Sequence, residues 1–443
     1  MPIVAGCDVG KTSLDVCVLS SEELQTINEL KKYARKYKPL KITSDAESIE
    51  LLKQIECDCF VLEPTGSYTY LWMDIFDQYE IPYRLVSPMR VRNYAKYKGM
   101  VNKSDRNDCV AIAAYSLEEF HKSRAFLGVE RLNVRELFLS LNATTRSRNP
   151  TENRLGQRLQ RECPELEKTY KGMRRRWLQP APTLLLEIAG IEHDRHDPYK
   201  KSRDKKINES IGKGFSSHTR DLARHLIQFY DMELKLEEQL DAELRNPAFA
   251  PYHEIFDRFK MPNRIRAALL SRIYPIDDFL GDDRKPIIEY VEGKNGQRSK
   301  RDRSEAAFKL SLGLGKSLYQ SGIKTSWKKS GSAYARTALW GYVTTVCKMS
   351  RKKANQKEFI GAVLEPQFRP HPQVQTSDGV LVQPWENERL VKAVAEKSEE
   401  PIEVSKLRLH YEFQAHTKIA DQRVMNTASK ACRMLYKELI KIQ

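Results

Sequence analysis

Two short apolar stretches open the chain. Residues 2–9 (PIVAGCDV) and 13–19 (SLDVCVL) flank Gly10-Lys11-Thr12, a spacing that predicts a β-hairpin. A third strand is expected over 39–43. Asp45 is placed to cap a helix reaching Ile55, with Ile49, Leu51 and Leu52 apolar. Residues 57–62 (CDCFVL) predict a short buried strand. Pro64-Thr65-Gly66 then turns the chain into an amphipathic segment, 67–79. Residues 82–86 (PYRLV) predict another strand, and helical spacing follows over 88–97 and 105–118. The order is β-β-β-α-β-α-β-α. Strands alternating with helices after an opening hairpin predict a three-layer α/β domain.

The pattern then changes period. Residues 128–162 read as helix, with Pro150 breaking or kinking it. Residues 192–213 are charged and nearly without apolar anchors, so a loop or insertion is expected. From Thr219 to Leu244, Leu222, Leu226, Phe229, Leu236 and Leu240 fall on a helical stripe. That stripe suits either a coiled-coil arm or a helix docked on its own domain. Residues 251–350 read as helical, with loops at 281–303 and 321–331. Residues 364–404 read as a loop bearing a hairpin, turned at Ser377-Asp378-Gly379. A long basic helix is expected over 405–441. The expected division is 1–125, 126–250 and 251–443: an α/β domain, a helical region for nucleic-acid or partner binding, and a mainly helical C-terminal domain.

Charge sharpens the division. The 443 residues carry a net charge of +16. Residues 1–120 hold 15 Lys and Arg against 18 Asp and Glu, so the whole positive excess lies beyond them. Such an asymmetry points to a polyanionic partner, nucleic acid above all. No apolar run approaches the roughly 18 residues of a membrane span. The N-terminus lacks the charged and apolar regions of a signal peptide, so a cytoplasmic location is expected. Eight cysteines are scattered without a CxxC pair, which argues against a disulfide framework. Cys57 and Cys59 alternate along the expected strand and suit a core better than a zinc site.

Four carboxylates stand out in the acidic segment. Asp8 ends the first strand and Glu63 follows the strand over 57–62. Asp105 and Asp108 share one face at the start of a helix. In a hairpin-first α/β domain these places converge at one end of the sheet. Like charges raise one another's pKa unless a cation is present. Two Mg²⁺ ions about 3.5–4 Å apart would relieve that and activate an oxygen for attack on phosphate. Taken singly, Asp8 also suits a turn cap, Glu63 an ion pair and Asp105 an N-cap.

The surrounding strings carry a resemblance. They are Gly6-Cys7-Asp8-Val9-Gly10-Lys11 with Leu14-Asp15-Val16, then Leu62-Glu63-Pro64-Thr65-Gly66-Ser67-Tyr68, then Asn102-Lys103-Ser104-Asp105-Arg106-Asn107-Asp108. Together they resemble the N-terminal domain of the DEDD transposases of the bacterial insertion-sequence one-ten family, which includes RNA-guided bridge recombinases. Ser104 stands where the family has Thr. The resemblance implies an RNase H-like (RuvC-like) domain with catalytic, metal-binding Asp8, Glu63, Asp105 and Asp108, served by Mg²⁺ or Mn²⁺. Asp15 matches the second Asp of the first string and reads as structural.

A second resemblance lies further on. Residues 306–322 (AAFKLSLGLGKSLYQSG) resemble the stretch that leads to the family's Ser-Gly, whose serine is its second catalytic residue. The match is Ser321-Gly322. Lys328-Lys329-Ser330-Gly331-Ser332 and Arg336-Thr337-Ala338-Leu339-Trp340 resemble the string after it. A serine hydroxyl can attack a phosphodiester and conserve the bond energy in a phosphoserine link. Lys324, Lys328, Lys329 and Arg336 are near enough in sequence to neutralise a scissile phosphate. Without the resemblance, Ser321 reads as a turn residue. The family's P-G-I-G turn is replaced by Met261-Pro262-Asn263-Arg264-Ile265.

Basic residues cluster at Arg146, Arg148, Arg154 and Arg158, and at Arg174, Arg175 and Arg176 beside Trp177. They suit phosphate binding with an aromatic stack, or a solvated helix face. The resemblance implies a cytoplasmic, nucleoid-associated enzyme of bacteria. Its partners would be donor and target double-stranded DNA, a structured noncoding guide RNA and further copies of itself, as a homodimer or homotetramer. A site-specific DNA invertase of the same catalytic type, or an inert nucleic-acid-binding protein of RNase H-like fold, are the other readings.

Overall fold

The computed structural model describes residues 1–443 except 65, 101, 103, 123–125, 174–179, 282, 293–297, 322–323, 348–373, 377, 414–419 and 443. The chain forms two compact units. One is Met1–Arg131 with Tyr274–Lys285, the other Leu132–Ile273 with Pro286–Gln443. No described helix is long and apolar enough to cross a membrane.

The first unit is built on a mixed sheet. Its strands are β1 (Ile3–Val9), β2 (Ser13–Ser20), β3 (Leu40–Thr43), β4 (Cys59–Leu62), β5 (Tyr83–Val86) and β6 (Phe126–Leu127), in the order β3-β2-β1-β4-β5-β6. β1, β2 and β3 pair antiparallel, whereas β1, β4 and β5 run parallel. The helices are α1 (Ser21–Thr26), α2 (Leu30–Lys36), α3 (Ala46–Lys53), α4 (Ser67–Gln78), α5 (Pro88–Tyr97) and α6 (Asp105–Glu118). α1 and α2 are additions to the expected order; each is under eight residues and mostly polar, so neither shows a clear apolar stripe. β4 starts at Cys59, which is buried, and leaves Cys57 half-buried before it.

Strand alternation sorts the side chains between two layers. Val4, Cys17, Leu19, Cys59 and Val61 pack with α6 and its neighbours α1, α2 and α5. On the other face Phe60 stacks on Phe76 of α4 at 5.0 Å. α6 is buried all round from Cys109 to Leu117, because sheet and helices enclose it. The segment Tyr274–Lys285 is tied in through Asp278, which receives Arg131 at 3.0 Å and Arg90 at 3.8 Å.

The second unit is chiefly helical. It holds α7 (Val129–Glu162, from Leu132 on), α8 (Glu167–Met173), α9 (Thr183–Ala189), α10 (Lys200–Asn208), α11 (Ser217–Leu244), α12 (Ala250–Arg258), α13 (Asn263–Ile273), α14 (Arg303–Ser311), α15 (Ala333–Tyr342), α16 (Glu388–Ser398), α17 (Ile402–Glu412) and α18 (Ala420–Leu439). Three hairpins accompany them: β7 (Ile288–Glu292) with β8 (Arg298–Asp302), β9 (Gly315–Ser321) with β10 (Lys324–Ser330), and β11 (Val374–Gln375) with β12 (Leu381–Val382).

Here the expectations need correction. α7 runs on through Pro150. The stripe of α11 does not form a free arm. Leu222, Ala223 and Leu226 are buried against Leu155, Leu159, Leu185 and Ile188 of the same unit. Within 192–213 lies a helix, α10, fastened chiefly by charge, with Ile207 its apolar contact to the neighbouring core. Arg203 is buried there and bonds Glu187 and Asp197, each at 2.6 Å. The loops expected over 281–303 and 321–331 contain strands of two hairpins. The turn near 377–379 does join a short hairpin, but α16 follows within the same expected loop. The long closing helix is two, α17 and α18.

Candidate active site

Parity along the strands aims three carboxylates at one place. Val4, Gly6 and Asp8 alternate on the α6 face of β1. Asp15 shares its face of β2 with Cys17 and Leu19, and Glu63 follows Cys59 and Val61 on β4. Asp8 and Asp15 are direct cross-strand partners, in a hairpin closed by Gly10 N–H donating to Ser13 O at 2.8 Å.

α6 supplies the other two. Gly6 lets it come close: a β-carbon there would stand 2.4 Å from Ala113 N and 2.6 Å from Cys109 O. From Gly6 to Asp8 the strand advances about 7 Å. Stepping back from that contact to Asp105 and Asp108 covers about the same length of helix. The first turn of α6 therefore faces Asp8. Ser104 is the N-cap, its Oγ accepting from Asn107 N at 3.3 Å, so Asp105 does not cap the helix. The helix N-terminus directs its partial positive charge to the same place.

The electrostatics reflect this convergence. Partial burial pushes Asp8 up to about 6, helped by the charges of Asp108, Asp105, Glu63 and Asp15. Its carboxylate accepts no hydrogen bond from any described residue, so it is not a turn cap. Burial also raises Asp15; Asp105 adds to the shift and Lys41 opposes it. The hairpin register sets Asp15 beside Asp8. Among the described residues, no three His, Cys, Asp or Glu side chains are gathered closely enough to enclose a metal ion.

In the other unit, Ser321 ends β9 and is paired in register with Lys324. The side chains of Ser321, Lys324 and Lys328 lie outside the described residues. Lys329 is exposed, and Arg336 donates to Gly313 O at 3.0 Å.

The arginines of α7 divide. Arg148 is buried, paired with Glu152 and with Glu233 at 2.9 Å, and its guanidinium lies over the Tyr230 ring. It serves to hold α7 to α11, and the expectation that it grips phosphate is withdrawn. Arg158 is likewise committed to Glu162, Ser216 and Thr219. Arg154 is exposed, and Arg146 lies over the Tyr334 ring at 5.1 Å. Arg174, Arg175, Arg176 and Trp177 fall outside the described residues.

Residues 5–164 match the family model of DEDD transposases of the IS110 type, described as a transposase. No curated protein matches the chain significantly. Among solved structures, T. thermophilus RuvC in complex with a Holliday junction substrate is similar at 14% identity and a TM-score of 0.20, over 29% of this chain and all of that one. The family match spans residues 5–164, and it supports a DNA-cutting and rejoining enzyme of the transposase or recombinase kind.

Proposed function

We propose that the enzyme transfers DNA strands through a divalent-metal site on Asp8, Glu63, Asp105 and Asp108 and a serine nucleophile, Ser321. The observation that carries the metal site is the burden on Asp8, which sits partly buried among three other family carboxylates. Oxygen donors of this kind suit a hard cation, Mg²⁺ or Mn²⁺. A cation held there would neutralise the cluster and polarise a phosphate oxygen. Closing on it requires the carboxylates to draw together, and Asp105 is exposed enough to turn inward.

The RNase H-like (RuvC-like) reading of the first unit accords with its strand order and parity. In the chemistry proposed, Ser321 Oγ attacks the scissile phosphorus and the bond to the leaving DNA hydroxyl breaks. The serine proton passes overall to that leaving oxygen. The resulting phosphoserine ester retains the energy needed for rejoining. A noncoding guide RNA and self-assembly complete the reading, on the strength of the family resemblance and the basic balance after residue 120.

The test is strand cleavage on DNA flanking the gene, with the divalent ion varied. Single Asp8→Ala, Glu63→Ala, Asp105→Ala and Asp108→Ala variants should each lose at least 100-fold in rate, about 3 kcal/mol of barrier. Full activity in EDTA, or in Asp8→Ala, would refute the metal site.

A further inference from the structure

Among the described residues, no position of the hairpin β7–β8 is buried. The hairpin is a two-stranded sheet with both outer edges unpaired. Its described residues are exposed or half-buried on both faces. A two-stranded ribbon of this kind is marginal alone in water. Its root, however, is firm. Ser304 is buried and accepts from Ile287 N at 2.9 Å, Arg303 N donates to Ile287 O at 2.8 Å, and Asp302 caps α14.

The ribbon's charge is arranged in a specific way. Its glutamates are neutralised, Glu289 by Arg303 at 2.6 Å and Glu292 by Arg298 at 3.6 Å. Lys300 makes no ion pair among the described residues, and Arg301 stands across the strands from Glu289, whose carboxylate is taken by Arg303. Lys300 and Arg301 are consecutive, so they project from opposite faces. Lys300 is the direct cross-strand partner of Tyr290, which is 68% exposed.

We infer that β7–β8 is a DNA-binding ribbon that enters the major groove of B-form duplex, with Lys300 and Tyr290 on one face meeting one groove wall and Arg301 on the opposite face meeting the phosphates of the other. Cations on both faces suit a cleft walled by phosphates on both sides. The major groove of B-DNA is about 12 Å wide and admits a two-stranded ribbon, whereas the deep, narrow major groove of A-form RNA does not. This assignment rests on the reading of the chain as a DNA-handling enzyme, and it adds a grip on duplex in the second unit.

The full-length protein in EDTA, bound to a 30-base-pair DNA and to double-stranded RNA of the same sequence, tests it by fluorescence anisotropy across a salt series. Lys300→Ala/Arg301→Ala should weaken DNA binding roughly ten- to thirtyfold at 0.15 M salt and lower the salt slope by about two, the loss of two phosphate contacts. Tyr290→Ala should weaken binding and leave the slope unchanged. RNA binding should be unaffected in both. An unchanged DNA slope in the double variant overturns the assignment, as does an equal loss on RNA. A drop in oligomeric state by light scattering, with DNA binding intact, would make the ribbon a joint between copies and also overturn it. A wild type that binds no DNA would instead fail the broader reading, so the two failures are distinguishable.

Discussion

Gly6 presses against Ala113 so closely that its missing side chain sets the position of the carboxylates: a β-carbon on Gly6 would overlap backbone atoms of α6. Backbone cannot swing aside as a flexible side chain can. Gly6→Ala should therefore cost about 2–4 kcal/mol, read by urea denaturation. Ala113→Gly should not rescue it, because the nearest clashing atoms are the Ala113 nitrogen and the Cys109 oxygen. A Gly6→Ala variant of wild-type stability would mean that β1 and α6 are not packed this tightly.

Asp8 should make stability depend on pH. Its folded pKa, about 6, is raised above the ordinary 3.8. Between those values the folded state holds the extra proton, so stability falls as pH rises through that window. Asp8→Asn should then be more stable than wild type above pH 6, by about 1–2 kcal/mol after allowance for partial solvation. The two should converge near pH 4. Millimolar Mg²⁺ should raise the melting temperature of wild type and not of Asp8→Asn. Parallel stability curves for the two proteins from pH 4 to 7 would contradict this.

Two arginines on α7 should respond oppositely. Arg148→Met leaves Glu152 and Glu233 without their buried cation and should cost about 3–5 kcal/mol. Arg154→Ala, at an exposed position, should stay within about 0.5 kcal/mol and act, if anywhere, on nucleic-acid affinity. Denaturation and DNA-binding curves for both variants separate the roles.

Arg203 should matter in the same way to α10. Burial acts to raise Asp197, but hydrogen bonds from Arg203 and Thr183 hold it well below its ordinary range. The contribution is present above the unfolded pKa, about 3.9, and is lost as pH falls through the lower folded value. Arg203→Met should cost about 3–5 kcal/mol at pH 7, and the gap should narrow in strong acid. Equal melting at pH 7 would show that the anchor is dispensable.

The carboxylate end of the sheet was readable because strand period, helix period and motif agree there. Asp8 and Glu63 end short apolar runs, and Asp105 and Asp108 open a helical one. That Asp15 lies directly across the hairpin from Asp8 depends on register, which a single strand does not display. Where charge replaces apolar periodicity, the pattern failed: Arg203 anchors a helix inside a stretch that looks like a loop. The β7–β8 ribbon escaped for a related reason, since a strand exposed on both faces has no alternation to detect. The leucine stripe of α11 was visible, but the partner it packs against was not.

The most direct measurement is for a covalent intermediate. Wild type, Ser321→Ala and Asp8→Ala would each be co-expressed with the DNA flanking the gene and examined for an SDS-resistant protein–DNA adduct. The account predicts an adduct in wild type alone. Metal-dependent cleavage without an adduct, undiminished in Ser321→Ala, would contradict it and make water the nucleophile.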